Sequence, residues 1–465
     1  MDNRYALRRI GVAGDIRLGV ETTSGMPVKL TAYERNHHTL ITGTTGTGKS
    51  CLLNLIVRQI LNHRAFSVDA GSLILFDPHW SLGPSVIDYM ATCNMSIPLL
   101  VVDPQGKDIV AFDPLLAHPE VKKEVLADMF SAWLAHVWQR DSNNDMPRLE
   151  AGCKLIVETL LATGCALSDA HALLNPDQDV SLRQGIVDRI ADPVLVGKWR
   201  QLTAKNPSAF EFEMGSTRRA FNRIPRESRT LCGLGRTFRW SDVLNGGWVV
   251  IVRSGRAGGI GSALSSIMLD DLWHAVESRT GSFPPATLMI DEFLQVASPS
   301  LSEYLPNARK RGMGCILALQ SATQLTAAGA AGSRLFTEVN LNCNNKISLR
   351  LDAAGALHSA ADLATHKDDL AKLKQEHAVV KSMLMSSPKM IKIDELYDFG
   401  ISPAARDIYI SQAMSRWRGR FVFGRSDADA MYSNRVDALR SSNASAEAEE
   451  PDEFEQFIGE QNLGD

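Results

Sequence analysis

No apolar run in this chain is long enough to cross a bilayer. The strongest, residues 97–102 and 248–252, fall far short of a spanning helix and read as buried strands. No secretory leader follows Met1-Asp2-Asn3-Arg4. The expectation is a soluble, cytoplasmic chain with no intrinsic membrane span, brought to a membrane only by partners. The seven cysteines are scattered, without CxxC spacing or paired histidines. That excludes a disulfide framework and a zinc centre and suits a reducing compartment. Positive charge is not in excess either: 49 Lys and Arg face 53 Asp and Glu, a net charge of −4. A nucleic-acid partner would therefore need a local basic patch. What remains is a chain of 465 residues, 45% hydrophobic, enough for a substantial core and two or three domains.

The chain does contain a complete phosphate-binding loop, Gly43-Thr44-Thr45-Gly46-Thr47-Gly48-Lys49-Ser50. The apolar Thr39-Leu40-Ile41-Thr42 precedes it, and Leu52, Leu53, Ile56 and Ile60 follow at helical spacing. Strand, glycine turn and helix are the context in which this motif has a mechanism. The glycines let successive N–H groups point inward at phosphates, and the helix N-terminus adds partial positive charge. Lys49 can reach the β- and γ-phosphates of ATP, and Ser50 can hold Mg2+.

Apolar runs ending at Asp77-Pro78-His79 and at Asp103-Pro104 indicate a parallel sheet covered by helices. The organisation expected is a short β-rich lead-in over 1–36, then an α/β motor domain over 37–115 and 231–425. An all-helical insertion over 116–230 interrupts that domain. Within it, Val121, Val125, Met129, Trp133 and Val137 mark one helical face, and Leu149, Cys153, Ile156 and Leu160 another. Short helices are expected near Ser168-Asp169 and from Ser181 towards Pro193. Strands return at 248–252, 287–290, 315–319 and 346–350, with a helix over 262–278. The tail over 440–465 carries Glu447, Glu449, Glu450, Asp452, Glu453 and Glu455 and no basic residue after Arg440. It reads as a disordered, solvating segment, with Phe454 and Phe457-Ile458 as anchors if it docks.

The strand at 287–290 ends in Asp291-Glu292. Beside a phosphate loop, the first carboxylate would bind the magnesium shell and the second would activate water. Neighbouring residues on a strand point to opposite faces, so the chain must turn there to bring both to the phosphate. Gln320 closes the strand at 315–319, where open α/β sheets bind ligands, and could sense the γ-phosphate. A surface glutamine is the plain alternative. Arg309, Lys310 and Arg311 lie between these strands, either as a solvated basic face or as an arginine finger for a neighbouring subunit. Arg350 is a weaker candidate for that role. Asp77 and His79 could line the same crevice, His79 more as a structural group. The basic cluster Arg218, Arg219, Arg223, Arg226 and Arg229 could track phosphates or sit between subunits.

With both halves of the site present, the chain resembles the HerA/FtsK group of P-loop motor ATPases, most of all the conjugative, type IV secretion coupling proteins. The matching stretches are His38 to Ser50, Leu75-Phe76-Asp77-Pro78-His79, Leu288-Met289-Ile290-Asp291-Glu292-Phe293, Ala308-Arg309-Lys310-Arg311-Gly312-Met313-Gly314 and Leu317-Ala318-Leu319-Gln320-Ser321. The resemblance implies a RecA-like P-loop core with an all-α inserted domain. It implies ATP and Mg2+, a homo-oligomeric ring of six subunits, Arg309 acting in trans and Gln320 as sensor. Its implied function is DNA translocation, with double-stranded DNA and secretion or relaxosome proteins as partners. A motor that moves proteins, and an ATP-switched assembly platform with little turnover, are the alternatives.

Overall fold

Ser72–Phe76, Val249–Val252 and Met313–Leu319 are buried at every position. A strand without a solvent face needs helices on both sides, the setting of a parallel sheet. The computed structural model describes residues 14–66, 71–119, 121–138, 146–175, 177–204, 206–255, 259–296, 301–321 and 329–441. The start of the lead-in and nearly all of the acidic tail lie outside these residues.

In chain order, β1 (Ile16–Glu21), β2 (Pro27–Leu30) and α1 (Ala32–Asn36) lead to β3 (Thr39–Thr42) and α2 (Lys49–Phe66). Then come β4 (Ser72–Phe76), α3 (Leu82–Thr92), β5 (Leu99–Val102) and β6 (Asp108–Val110). A helical stretch follows: α4 (Lys123–Trp138), α5 (Met146–Thr163), α6 (Ala170–Leu174), α7 (Val180–Val187), α8 (Pro193–Thr203), α9 (Pro207–Phe221) and α10 (Trp240–Gly246). The sheet resumes with β7 (Val249–Val252), α11 (Gly261–Glu277), β8 (Ala286–Ile290), α12 (Leu301–Ala308), β9 (Met313–Leu319), α13 (Gly329–Asn342) and β10 (Asn345–Ser348). The last elements are α14 (Ala353–Asp362), α15 (Lys367–Ala371), β11 (His377–Lys381), β12 (Lys389–Ile393), α16 (Pro403–Met414), β13 (Val422–Gly424) and α17 (Arg425–Ser441).

The main sheet has the order β2-β1-β12-β11-β10-β3-β9-β8-β4-β7-β5. From β10 to β5 neighbouring strands pair in parallel. From β10 back to β2 they pair antiparallel. Burial follows this division, since β2 alternates exposed and buried residues while β3 is buried throughout. The fold is therefore the expected mainly parallel α/β sheet, with a helical stretch between β6 and β7. Side chains of both parts, Ile290 and Leu317 from the sheet and Ile156 and Trp199 from the helices, belong to one apolar cluster.

Between Pro193 and Phe221 two further helices appear beyond those expected. α8 and α9 each begin with Asx then proline: Asp192 accepts the N–H of Val194, and Asn206 that of Ala209. This is a legible start signal, and buried residues at helical spacing follow it, Leu195, Trp199 and Leu202 in α8 and Phe210, Met214 and Phe221 in α9. α7 starts from Asp179, whose side chain accepts the N–H of Leu182, and ends at Val187, short of Pro193.

The segment from 403 to 441 carried no expectation of its own beyond 425. It runs across the edge strand β5 and on to the helical stretch. α16 packs on β5 and α3, β13 pairs with β6, and α17 lies against α7. Arg406 grips Asp88 with two bonds of 2.6 and 2.7 Å, and Arg435 grips the buried Asp169 in the same way. Covering β5 removes an open sheet edge. Among the described residues, no helix is long and apolar enough to cross a membrane.

Candidate functional site

β3, β9, β8 and β4 run parallel, so their carboxyl ends share one rim of the sheet. The glycine loop leaves β3 on this rim. Its start is stitched down by backbone bonds from Gly43 N–H to the Leu319 carbonyl (3.2 Å) and from Thr44 N–H to the Arg350 carbonyl (3.1 Å). Any Cβ at Gly43 would sit 2.9 Å from the Leu349 Cβ. Gly46 and Gly48 have φ of +77° and +104°, conformations that side chains disfavour. Thr47 is buried and donates its hydroxyl to the Thr44 carbonyl, while its own carbonyl accepts from Glu376 N–H. α2 then starts at Lys49 with no acid in its first turn, so its positive end is left for a ligand. Thr45, Gly46 and Ser50 are exposed on the open side of this cradle.

Lys49 turns back across the rim. Its Nζ lies 2.8 Å from Asp291 Oδ1 and 3.6 Å from Glu292 Oε2. The three side chains are 11, 3 and 5% exposed, so the charges meet almost out of water. Both acids can face one ammonium because Glu292 is in the left-handed region, φ 50° and ψ 57°. For a side chain this conformation costs about 1–3 kcal/mol, and such strain gathers at functional sites. Glu292 Oε2 is buried and accepts no hydrogen bond.

The other candidates fall into place around this pair. Gln320 directly follows β9, half-buried between the loop and the carboxylates. Asp77 is buried, and its Oδ2 accepts the N–H groups of Leu82 and Gly83 at the start of α3. Burial, and to a lesser degree the charge of Asp291, push its carboxyl above the usual range. It therefore acts as a helix cap at the rim. His79 is exposed, 3.4 Å from the Gln295 amide.

Arg309 stands at the other end of β9. That strand has seven residues, so roughly 20 Å separates Arg309 from its own glycine loop. It is exposed and has no ion pair among the described residues. Arg311 is tied down: its Nη1 donates to the Arg279 carbonyl, and Arg279 returns a bond to the carbonyl of Arg311. Arg350 lies beside the glycine loop, where its backbone carbonyl braces Thr44. The basic cluster after the helical stretch is partly neutralised, since Glu211 pairs with Arg218 at 2.5 Å and with Arg219 at 3.6 Å.

These residues fit a nucleotide and a magnesium ion. Leu349 closes Gly43 to a side chain, Gly46 and Gly48 hold positive φ, and the Lys49 ammonium lies beside the loop. No group of three His, Cys, Asp or Glu among the described residues could hold a metal alone. Ser50 and Asp291 would thus share magnesium with phosphate oxygens, the usual arrangement for this ion. The bracing by Leu349, Arg350 and Glu376 was not foreseen, because it comes from a backbone far away in sequence.

The family model for the HerA helicase central domain matches residues 16–154, and the one described as the TraM recognition site of TraD and TraG matches 285–396. No curated protein matches by sequence. Among solved structures, the bacterial conjugative coupling protein TrwBdeltaN70 is similar at a TM-score of 0.63 and 15% identity. The match covers 86% of this chain and 95% of that one. Plasmid coupling protein TrwB in complex with ADP and Mg2+ gives 0.59 and 17%, covering 87% and 95%. VirB4 of Thermoanaerobacter pseudethanolicus gives 0.55 and 14%, covering 85% and 99%. The resemblance to the HerA/FtsK group is borne out, and the fold is RecA-like.

Proposed function

We propose that the chain is an ATP-hydrolysing motor of the conjugative coupling type, working as a six-membered ring that moves double-stranded DNA. The observation that carries this is the Lys49–Asp291–Glu292 cluster on the carboxyl rim, with a free arginine on the opposite rim. Lys49 would hold the β- and γ-phosphates, and Ser50 and Asp291 would hold magnesium. The metal, when bound, would offset the charge that builds up on the phosphate oxygens. Glu292, turned inward by its left-handed backbone, would orient the attacking water and take its proton. Gln320 would hydrogen-bond the γ-phosphate.

Arg309 cannot reach its own loop, which supports a role at a neighbour's site. Rings that stack one rim against the next place such a residue where it can stabilise transition-state charge. The likeness to coupling proteins supports DNA as cargo, with secretion or relaxosome proteins as partners. The pairing of Arg218 and Arg219 with Glu211 favours a second reading, in which the motor moves proteins.

ATP turnover measured with and without duplex DNA across a salt series separates the two. Stimulation that falls steeply as salt rises supports DNA. Turnover indifferent to DNA at low salt contradicts it and supports a protein cargo. Negligible turnover with nucleotide-dependent assembly would leave only a switch.

A further inference from the structure

At the opposite rim, by the amino ends of β4, β8 and β9, lies a cavity of about 550 Å3. Arg35 of α1 and His63 and Arg64 of α2 line it. No Asp or Glu does so among the described residues. Arg64 gives one N–H to the Gly71 carbonyl, and Arg35 gives one to the Gly14 carbonyl. Arg35 Nε and His63 Nε2 are buried without any hydrogen-bond partner. Phe283 lines the cavity, and behind it Arg279, bonded to the carbonyls of Arg311 and Pro284, stacks 4.6 Å from the ring centre.

Buried cations without counterions are unfavourable and are normally paired. Here both arginines are half-buried: burial depresses Arg64 to about 10, and it lowers Arg35 although Asp15 supplies an opposing charge. The last turn of α2 holds both His63 and Arg64, and basic residues suit a helix C-terminus. It does not explain why Arg35, from α1, lines the same space with its Nε unpartnered, or why His63 Nε2 is left without a partner there. Guanidinium forks bind oxyanions through charge-assisted hydrogen bonds, and donors arriving from both α1 and α2 can reach different oxygens of a phosphate.

We propose that this cavity is a second anion site, distinct from the glycine loop, which takes a phosphate group through Arg35, Arg64 and His63. Asn36 lines the same cavity and donates to the Arg309 carbonyl at 3.3 Å. An occupant would therefore steady the turn that carries the candidate trans arginine; this consequence alone rests on the function proposed above.

The test is equilibrium dialysis of the full chain against radiolabelled inorganic phosphate. Wild type is expected to show two sites. Lys49→Met removes one, and Arg35→Gln with Arg64→Gln removes the other while ADP affinity at the loop is kept. Each lost charge-assisted contact weakens phosphate by about tenfold. If the double variant does not fold, Arg64→Gln and His63→Leu singly are expected to weaken the same site. Displacement by ADP in the Lys49→Met chain identifies a nucleotide phosphate as the ligand, and no displacement identifies free phosphate. A single site in wild type, or arginine and histidine variants that keep both sites at full affinity, overturns the proposal. The loop site is counted separately, so this failure leaves the nucleotide assignment standing.

Discussion

Replacing Lys49 by methionine tests how the site is held before nucleotide arrives. The change keeps the length of the side chain and removes its charge. Asp291 and Glu292 would then face each other at 3 and 5% exposure with no cation between them. Asp77, buried and already in the field of Asp291, adds to the repulsion. Removing one partner of a buried pair costs about 3–5 kcal/mol. Asp291→Asn should cost less, because Lys49 keeps Glu292 at 3.6 Å. In a double-mutant cycle the coupling of Lys49 with Asp291 should be about 2 kcal/mol. The assay is guanidinium unfolding in nucleotide-free buffer, comparing midpoints at equal slopes. A coupling within about 0.5 kcal/mol of zero would refute the idea that these carboxylates hold the lysine.

Arg309→Ala should lower assembled turnover by about a thousandfold while each subunit still binds nucleotide, which subunit-mixing experiments would show. Arg311→Ala should instead lower the melting temperature, since its guanidinium holds the Arg279 carbonyl. Arg435→Ala leaves Asp169, 1% exposed, without its partner and should cost about 3 kcal/mol, seen as faster proteolysis at the helical stretch. His38 is buried between the Leu305 carbonyl and the Cys315 N–H, and burial lowers its pKa to about 4. Its folded value lies below the unfolded one. The stability it contributes is therefore complete above about pH 6.5 and lost as pH falls through about 4. A ring signal that titrates near 6.5 by NMR would contradict this.

The parallel strands β4, β5, β7, β8 and β9 were legible because each is a short apolar run ended by a turn signal, whereas β11 and β12 carry lysines and had no counterpart among the strands expected. Residues 287–290 and 315–319 lie within β8 and β9 as expected. The loop was legible because its chemistry is local. The C-terminal strap was not, because α17 is polar for most of its length and is held by ion pairs such as Arg435–Asp169, which leave no periodic trace. The support given to Gly43 and Thr44 by Leu349 and Arg350 was equally hidden, since it joins strands three hundred residues apart only after β3 and β10 pair. Nor could the sequence say that the Arg311 guanidinium is held by a carbonyl while those of Arg309 and Arg350 are exposed. The first depends on the Arg279 carbonyl lying nearby, and the other two differ in which rim of the sheet they occupy.

Single-turnover hydrolysis by Glu292→Gln tests the central claim most directly. The site should bind ATP as wild type does and cleave it at least about a hundredfold more slowly. Unchanged cleavage in that variant would contradict the account.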